Sequence, residues 1–222
     1  MRQVVKKKNM IILIGDAATV IIVLCAWMTM FSGADPAHIL SSAGVSALKY
    51  FTIDSNLLMA FAAVVNMIYT VREHKHSHPV PVWVGILRYI AVVSVMLTFG
   101  TTFLFLVRLY GFRAMIAGVN FYLHLIVPLM SFFLFLMVQP TRRTGFGMSF
   151  IAVLPMLISG MCYMGNILVN GRSSANDWYG FARWGPGMYL PVILIVTGLA
   201  WILAAVLWIL GGGLSKGDRP LV

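Results

Sequence analysis

Thr52 in KYFTIDSNLLMAF and His124 in NFYLHLIVPLMSFF are the residues of this chain best suited to chemistry. A threonine hydroxyl is a weak nucleophile until a neighbouring base takes its proton, and neutral imidazole does that near pH 7. Asn56 follows Thr52 by one helical turn and Asn120 precedes His124 by one, so each reactive residue shares a face with an amide. Ser55 lies at the edge of the first stripe. Either amide is suited to orienting the imidazole or to donating to a developing oxyanion. Asp54 points away from Thr52 on an ideal helix and is the less natural member of the cluster. The simplest reaction for such a set is ester or amide hydrolysis through an acyl-enzyme.

The elements that must position this pair are set by composition. The chain has 222 residues, 60% of them hydrophobic and only 10% charged, with a mean hydropathy of +0.92. Such a sequence takes lipid as its solvent. Six apolar runs, at about 10–32, 47–71, 84–107, 115–138, 147–169 and 187–211, reach the roughly 20 residues that a helix needs to cross a bilayer. The expected fold is therefore an all-α integral membrane protein, one six-span domain over 1–222. The basic N-terminus and its apolar run resemble a secretory signal, but the run is too long for a cleaved one and is expected to remain as the first span.

The net charge of +10 is distributed as a topology signal. Arg2, Lys6, Lys7, Lys8, Arg72, Lys75, Arg88, Arg142, Arg143, Lys216 and Arg219 fall on one side. Only Lys49, Arg108, Arg113, Arg172 and Arg183 fall on the other. The positive-inside bias then puts both termini in the cytoplasm and the Thr52–His124 layer in the outer half of the membrane. The basic residues read as attraction to anionic lipid, and no nucleic-acid surface is expected.

Depth agrees with a pairing of the two residues. Both lie in even-numbered spans running in the same direction, and their depths differ by about 6 Å at 1.5 Å per residue. Two polar stripes in lipid need each other or a wet cavity. Pro128, four residues beyond His124, removes the amide that would bond the histidine carbonyl, so a kink with a freed carbonyl is expected there.

Other features carry blander readings. Trp178, Tyr179, Arg183 and Trp184 in the last outer loop suit an interfacial aromatic belt, or a lid and headgroup contact over a site opening outward. His74, His76 and His78 lack the spacing of a metal site and are expected to be a solvated loop, so neither metal nor cofactor is expected. Cys25 and Cys162 fall inside spans, where packing is expected and a disulfide is not. Phenylalanines and methionines of spans three to five are expected to line an acyl tunnel. Asp16, Asp54 and His124 could instead form an ion or proton path in a small transporter. The polar pair could also merely pack helices in a non-catalytic lipid-binding protein, at roughly 1 kcal/mol or less per contact.

Three segments, KYFTIDSNLL at 49–58, NFYLHLIVPLMSF at 120–132 and WYGFARWGPGMY at 178–189, resemble the androgen-induced and androgen-dependent TFPI-regulating protein family. The resemblance implies a compact prokaryotic relative of multi-span hydrolases that use an intramembrane threonine and histidine. It implies Thr52 as nucleophile, His124 as its histidine, and Asn120 and Pro128 as the flanking pattern. It also implies a lipid ester substrate of the type cleaved by the eukaryotic members, a fatty acid ester of a hydroxy fatty acid. Asn56 stands where those members are more apolar, and the segment between the two key residues is shorter here.

Overall fold

A computed structural model describes residues 2–34, 44–76, 79–138, 144–173, 176–181, 185 and 187–213. Six helices in it are long and apolar enough to span a membrane, and no strand occurs among the described residues. The protein is an all-α, integral membrane protein. Helix α1 covers Arg2–Phe31 and α2 covers Phe51–His76. The others are α3 (Val82–Tyr110), α4 (Val119–Val138), α5 (Met148–Asn170) and α6 (Tyr189–Gly213). With six alternating crossings, the start of α1 and the end of α6 lie at one end of the bundle. Thr52 and His124 lie at the other, each in the first turns of its helix.

Helix α3 is central. Arg88, Tyr89, Ala91, Val92, Val93, Ser94 and Val95 are all buried, so it is enclosed on every side along this stretch. Small residues allow the neighbouring backbones to approach: Ala60, Ala62 and Ala63 of α2 join Ala91 and Val92 of α3 in the largest core cluster. Gly15 of α1 serves the same purpose against α4, because a Cβ there would sit 2.7 Å from the Leu134 methyls. Helices α1 to α4 form one body, with α6 packed on α3. Helix α5 touches α2 and α3 only sparsely. The gap that it leaves becomes the cavity described below.

Several local features depart from the expectations. Helix α2 starts at Phe51 rather than near 47, because Gly44–Lys49 form a separate 3-10 helix. Arg88 does not flank a span. It is fully buried and donates from Nη1 and Nη2 to Asp16 Oδ2 and Oδ1, both at 2.9 Å. Asn66 adds a third donor to Asp16 Oδ2 at 2.7 Å. An isolated charge at this depth would cost several kcal/mol, and the bidentate pair removes most of that penalty. Cys25 and Cys162 are free, and both lie on exposed helix surfaces rather than in the packed interior. His74 is exposed, and among the described residues no group of histidines, cysteines and carboxylates is arranged to hold a metal. His78 lies outside the described residues.

Candidate active site

The nucleophile candidate is held by the first turn of α2. Thr52 is half-buried, and its Oγ1 lies 3.4 Å from His124 Nε2. The histidine, fully buried, sits inside a π-helical segment of α4, Tyr122–Ile126. The cause is Pro128. With no amide there to bond the His124 carbonyl, the preceding Val127 N–H bonds Tyr122 O, five residues back. The ladder thus slips by one residue, and α-helix resumes over Val127–Val138. A second π segment, Thr102–Leu106, interrupts α3 at the same end of the bundle.

The other face of the imidazole decides its chemistry. Nδ1 lies 2.8 Å from the backbone carbonyl oxygen of Met115. A carbonyl only accepts, so Nδ1 carries the proton and Nε2 presents its lone pair to the threonine hydroxyl. That is the tautomer a general base needs. Met115 is brought there by a short helix, Phe112–Met115, between two glycines with positive φ, Gly111 (87°) and Gly118 (56°). Residues with a Cβ rarely adopt such backbone angles, so the two turns that fold this segment back against α4 depend on glycine.

Neither asparagine hydrogen-bonds the imidazole. Asn56 Nδ2 donates to Thr52 O at 2.7 Å and to Leu123 O at 3.2 Å, tying α2 to α4 directly behind the reactive pair. Asn120 Nδ2 donates to Ala114 O at 3.4 Å and pins the segment that carries Met115. Ser55 Oγ bonds Thr52 O at 3.1 Å and Thr98 Oγ1 at 2.9 Å, which joins α2 to α3. All three position the site through the backbone. Asp54 is exposed and outside the cluster. The orienting carbonyl of Met115 was not anticipated, and no side-chain type could signal it.

A cavity of about 280 Å³ opens beside Thr52. Its wall includes Thr52 and Tyr179 at one end, and runs along Phe105 of α3, Met156 of α5 and Val192 and Val196 of α6. Spans three, five and six build it with the start of α2; span four, expected as a wall, supplies no lining residue. His124 is absent from the wall, so the histidine is screened from the cavity by the threonine. Phe105 and Ile195 both line the cavity and are exposed on the bundle surface, which marks a mouth between α3 and α6.

The loop after α5 roofs this end. Tyr163 donates to Asp177 Oδ1, which also accepts the Phe181 N–H at 3.0 Å. Asn166 holds Asn176 O at 3.1 Å. Trp178 packs edge-on against Tyr163 with ring centres 5.0 Å apart, and Lys49 Nζ stands 5.9 Å from its ring. Tyr179 accepts the Phe51 N–H at 2.8 Å and so caps α2 next to Thr52. Trp178 and Tyr179 are therefore packed over the site rather than spread into a belt. Arg183 and Trp184 lie outside the described residues.

The second polar centre is remote from the first. Asn66 is fourteen residues beyond Thr52, about 21 Å along α2 at 1.5 Å per residue. The Asp16 carboxylate is closed by the Arg88 guanidinium and Asn66. No family model, curated protein or solved structure matches the chain.

Proposed function

We propose that this protein is an intramembrane threonine hydrolase that cleaves lipid esters, with Thr52 as nucleophile and His124 as base. One observation carries the reading: the Met115 carbonyl fixes the proton on Nδ1, which aims the Nε2 lone pair at a hydroxyl 3.4 Å away on the wall of an apolar cavity. That separation exceeds a formed hydrogen bond, and catalytic contacts commonly tighten only as substrate binds. The three segments resembling the androgen-induced family contain both residues, which supports the same assignment.

The chemistry follows from the geometry. Thr52 Oγ attacks the ester carbonyl carbon while Nε2 takes the hydroxyl proton, and the carbonyl π pair moves onto oxygen. As that pair returns, the alkoxide leaves and takes the proton from Nε2–H, giving the alcohol and an acyl-threonine. A water then attacks, His124 again removes the proton, and collapse releases the carboxylic acid with the proton returned to Thr52. No step needs a cofactor or metal.

The substrate proposed is a lipid with at least one long acyl chain, a fatty acid ester of a hydroxy fatty acid being the leading type. It enters from the bilayer through the mouth at Phe105 and Ile195. An apolar pocket with few polar groups suits such a chain. The active site is assigned to the outer half of a bacterial cytoplasmic membrane, with both termini inside. The partners proposed are membrane lipids and the lipid ester substrate. An alkyl fluorophosphonate probe tests the reading: mass spectrometry should find the adduct on Thr52, with labelling lost in Thr52→Ala and in His124→Gln. Undiminished labelling of Thr52→Ala overturns it.

A further inference from the structure

Tyr179 stands in the same cavity wall as Thr52, and the reaction above leaves its hydroxyl unused. Its oxygen is held against the nucleophile's own backbone, since it accepts the N–H of Phe51, the residue before Thr52. Its ring is immobilised on three sides. It meets Tyr50 and Tyr163 edge-on, at 6.2 and 5.3 Å between ring centres, and stacks on Phe181 at 5.4 Å. Main-chain bonds add to this rigidity, with the Gly180 N–H on Asp177 O at 2.9 Å.

A phenol that accepts an N–H still has its own proton to donate. Among the described residues no acceptor takes the Tyr179 proton. Burial pushes this phenol up to about 12, so the proton stays on the oxygen throughout the range in which a membrane protein works. Four side chains of α2, α3 and α4 near the nucleophile are already committed. Thr98 pairs with Ser55, Thr101 bonds Leu97 O and Thr98 O, Asn56 bonds two carbonyls, and Asn120 bonds a third. The negative oxygen formed during acyl transfer develops in a cavity lined mostly by apolar side chains, where such charge is most costly; Ser159 stands on α5, whereas the Tyr179 hydroxyl is held against the nucleophile's own backbone.

We infer that Tyr179 is a catalytic residue of the proposed hydrolysis, its O–H donating a hydrogen bond to the carbonyl oxygen of the ester as Thr52 attacks. The inference rests on the threonine-hydrolase reading. When the Thr52 Oγ–carbon bond forms, the π pair settles on the oxygen that Tyr179 faces. The phenol proton is shared, not transferred, and is released when the pair returns and the alkoxide departs with the proton from His124. Tyr179 therefore acts twice per turnover, in acylation and in deacylation.

The test is Tyr179→Phe, which keeps the ring contacts and deletes the hydroxyl. Hydrolysis of 4-nitrophenyl octanoate in detergent micelles should show kcat lowered roughly 10²- to 10³-fold with KM little changed. Inhibition by an octyl trifluoromethyl ketone, whose adduct with Thr52 carries the oxyanion, should weaken by a similar factor while binding of octanoic acid is retained. Wild-type kcat in Tyr179→Phe, with Thr52→Ala and His124→Gln inactive, overturns the inference and leaves the hydrolase standing. Full activity in Thr52→Ala overturns the hydrolase itself. A raised KM and lowered thermal midpoint with kcat intact identify Tyr179 as a helix cap only, which also overturns it. Should the phenylalanine variant fail to fold, 3-fluorotyrosine at 179 replaces it, because it keeps size and hydroxyl but acidifies the phenol. An altered kcat then supports the inference and an unchanged one overturns it.

Discussion

Removing Thr52 and His124 singly and together separates a catalytic pair from one that packs helices. The contact between them is 3.4 Å, beyond the usual range for a formed hydrogen bond, so it contributes less to stability than the ~1 kcal/mol of a typical bond. Thr52→Ala, in the first turn of α2 and half-buried, should therefore cost no more than about 1 kcal/mol of stability. His124→Gln endangers the 2.8 Å bond to Met115 O and should cost about 1–3 kcal/mol if that carbonyl is left unsatisfied. The effects on rate should be far larger. Loss of a positioned general base lowers turnover about 10²- to 10⁴-fold, equivalent to about 2.7–5.5 kcal/mol of transition-state stabilisation.

The assay is kcat/KM for a chromogenic fatty ester in micelles, with thermal midpoints of the same preparations alongside. Residues that act as one unit are strongly non-additive, so Thr52→Ala/His124→Gln should be no slower than the slower single variant. Two outcomes would contradict a catalytic pair. One is a pair of losses that multiply, which means independent contributions. The other is a large fall in stability with turnover per folded molecule unchanged, which assigns the pair to packing.

Two further predictions concern the parts that support the site. Asp16→Leu or Arg88→Met alone strands a buried charge and should destabilise the fold by about 3–5 kcal/mol, while the double variant should be more stable than either single; thermal midpoints in one detergent check this, and activity should persist in the double variant because the pair lies remote from Thr52. Gly118→Ala forces a Cβ onto a backbone with φ of 56° at about 1–3 kcal/mol of strain. It should shift the Met115 carbonyl and lower kcat more than it raises KM in the ester assay, and unchanged kcat at the wild-type level would remove Met115 from the account.

The sequence announces its six spans because each run is long, apolar and nearly free of charge. It announces Thr52 and His124 because polar groups are rare at that depth and their helical spacing is regular. Other features left no comparable trace. The start of α2 is displaced because the apolar character of ALKYF continues across a junction between a 3-10 helix and an α-helix. A π turn inserts one residue into a helix that is apolar on nearly every face, so periodicity barely registers it; Pro128 marks one such turn, and nothing marks the other at Thr102–Leu106. Arg88 reads as a flanking charge because it stands only seven residues into α3, and its partner Asp16 is 72 positions away in sequence. The Met115 contact is made by a carbonyl, which every residue possesses. Span six replaces span four in the cavity wall because helix order in space does not follow order along the chain.

Under the proposed function, that carbonyl also explains how a base can be oriented in a membrane. Soluble hydrolases commonly orient their histidine with a buried carboxylate, which also stabilises the imidazolium formed during attack. In a lipid-embedded bundle a further buried carboxylate carries a heavy desolvation penalty unless a cation accompanies it, and among the described residues that arrangement occurs once, in the Asp16–Arg88 pair. At the Thr52 end the task falls to Met115 O, a neutral acceptor that fixes the tautomer without introducing a charge. In the proposed mechanism a carbonyl stabilises the imidazolium formed during attack less than a carboxylate would. Catalysis of this kind must then draw more of its transition-state stabilisation from the opposite side of the carbonyl carbon. A neutral, permanently protonated donor held next to the nucleophile is the group such a site requires, and Tyr179 occupies that position.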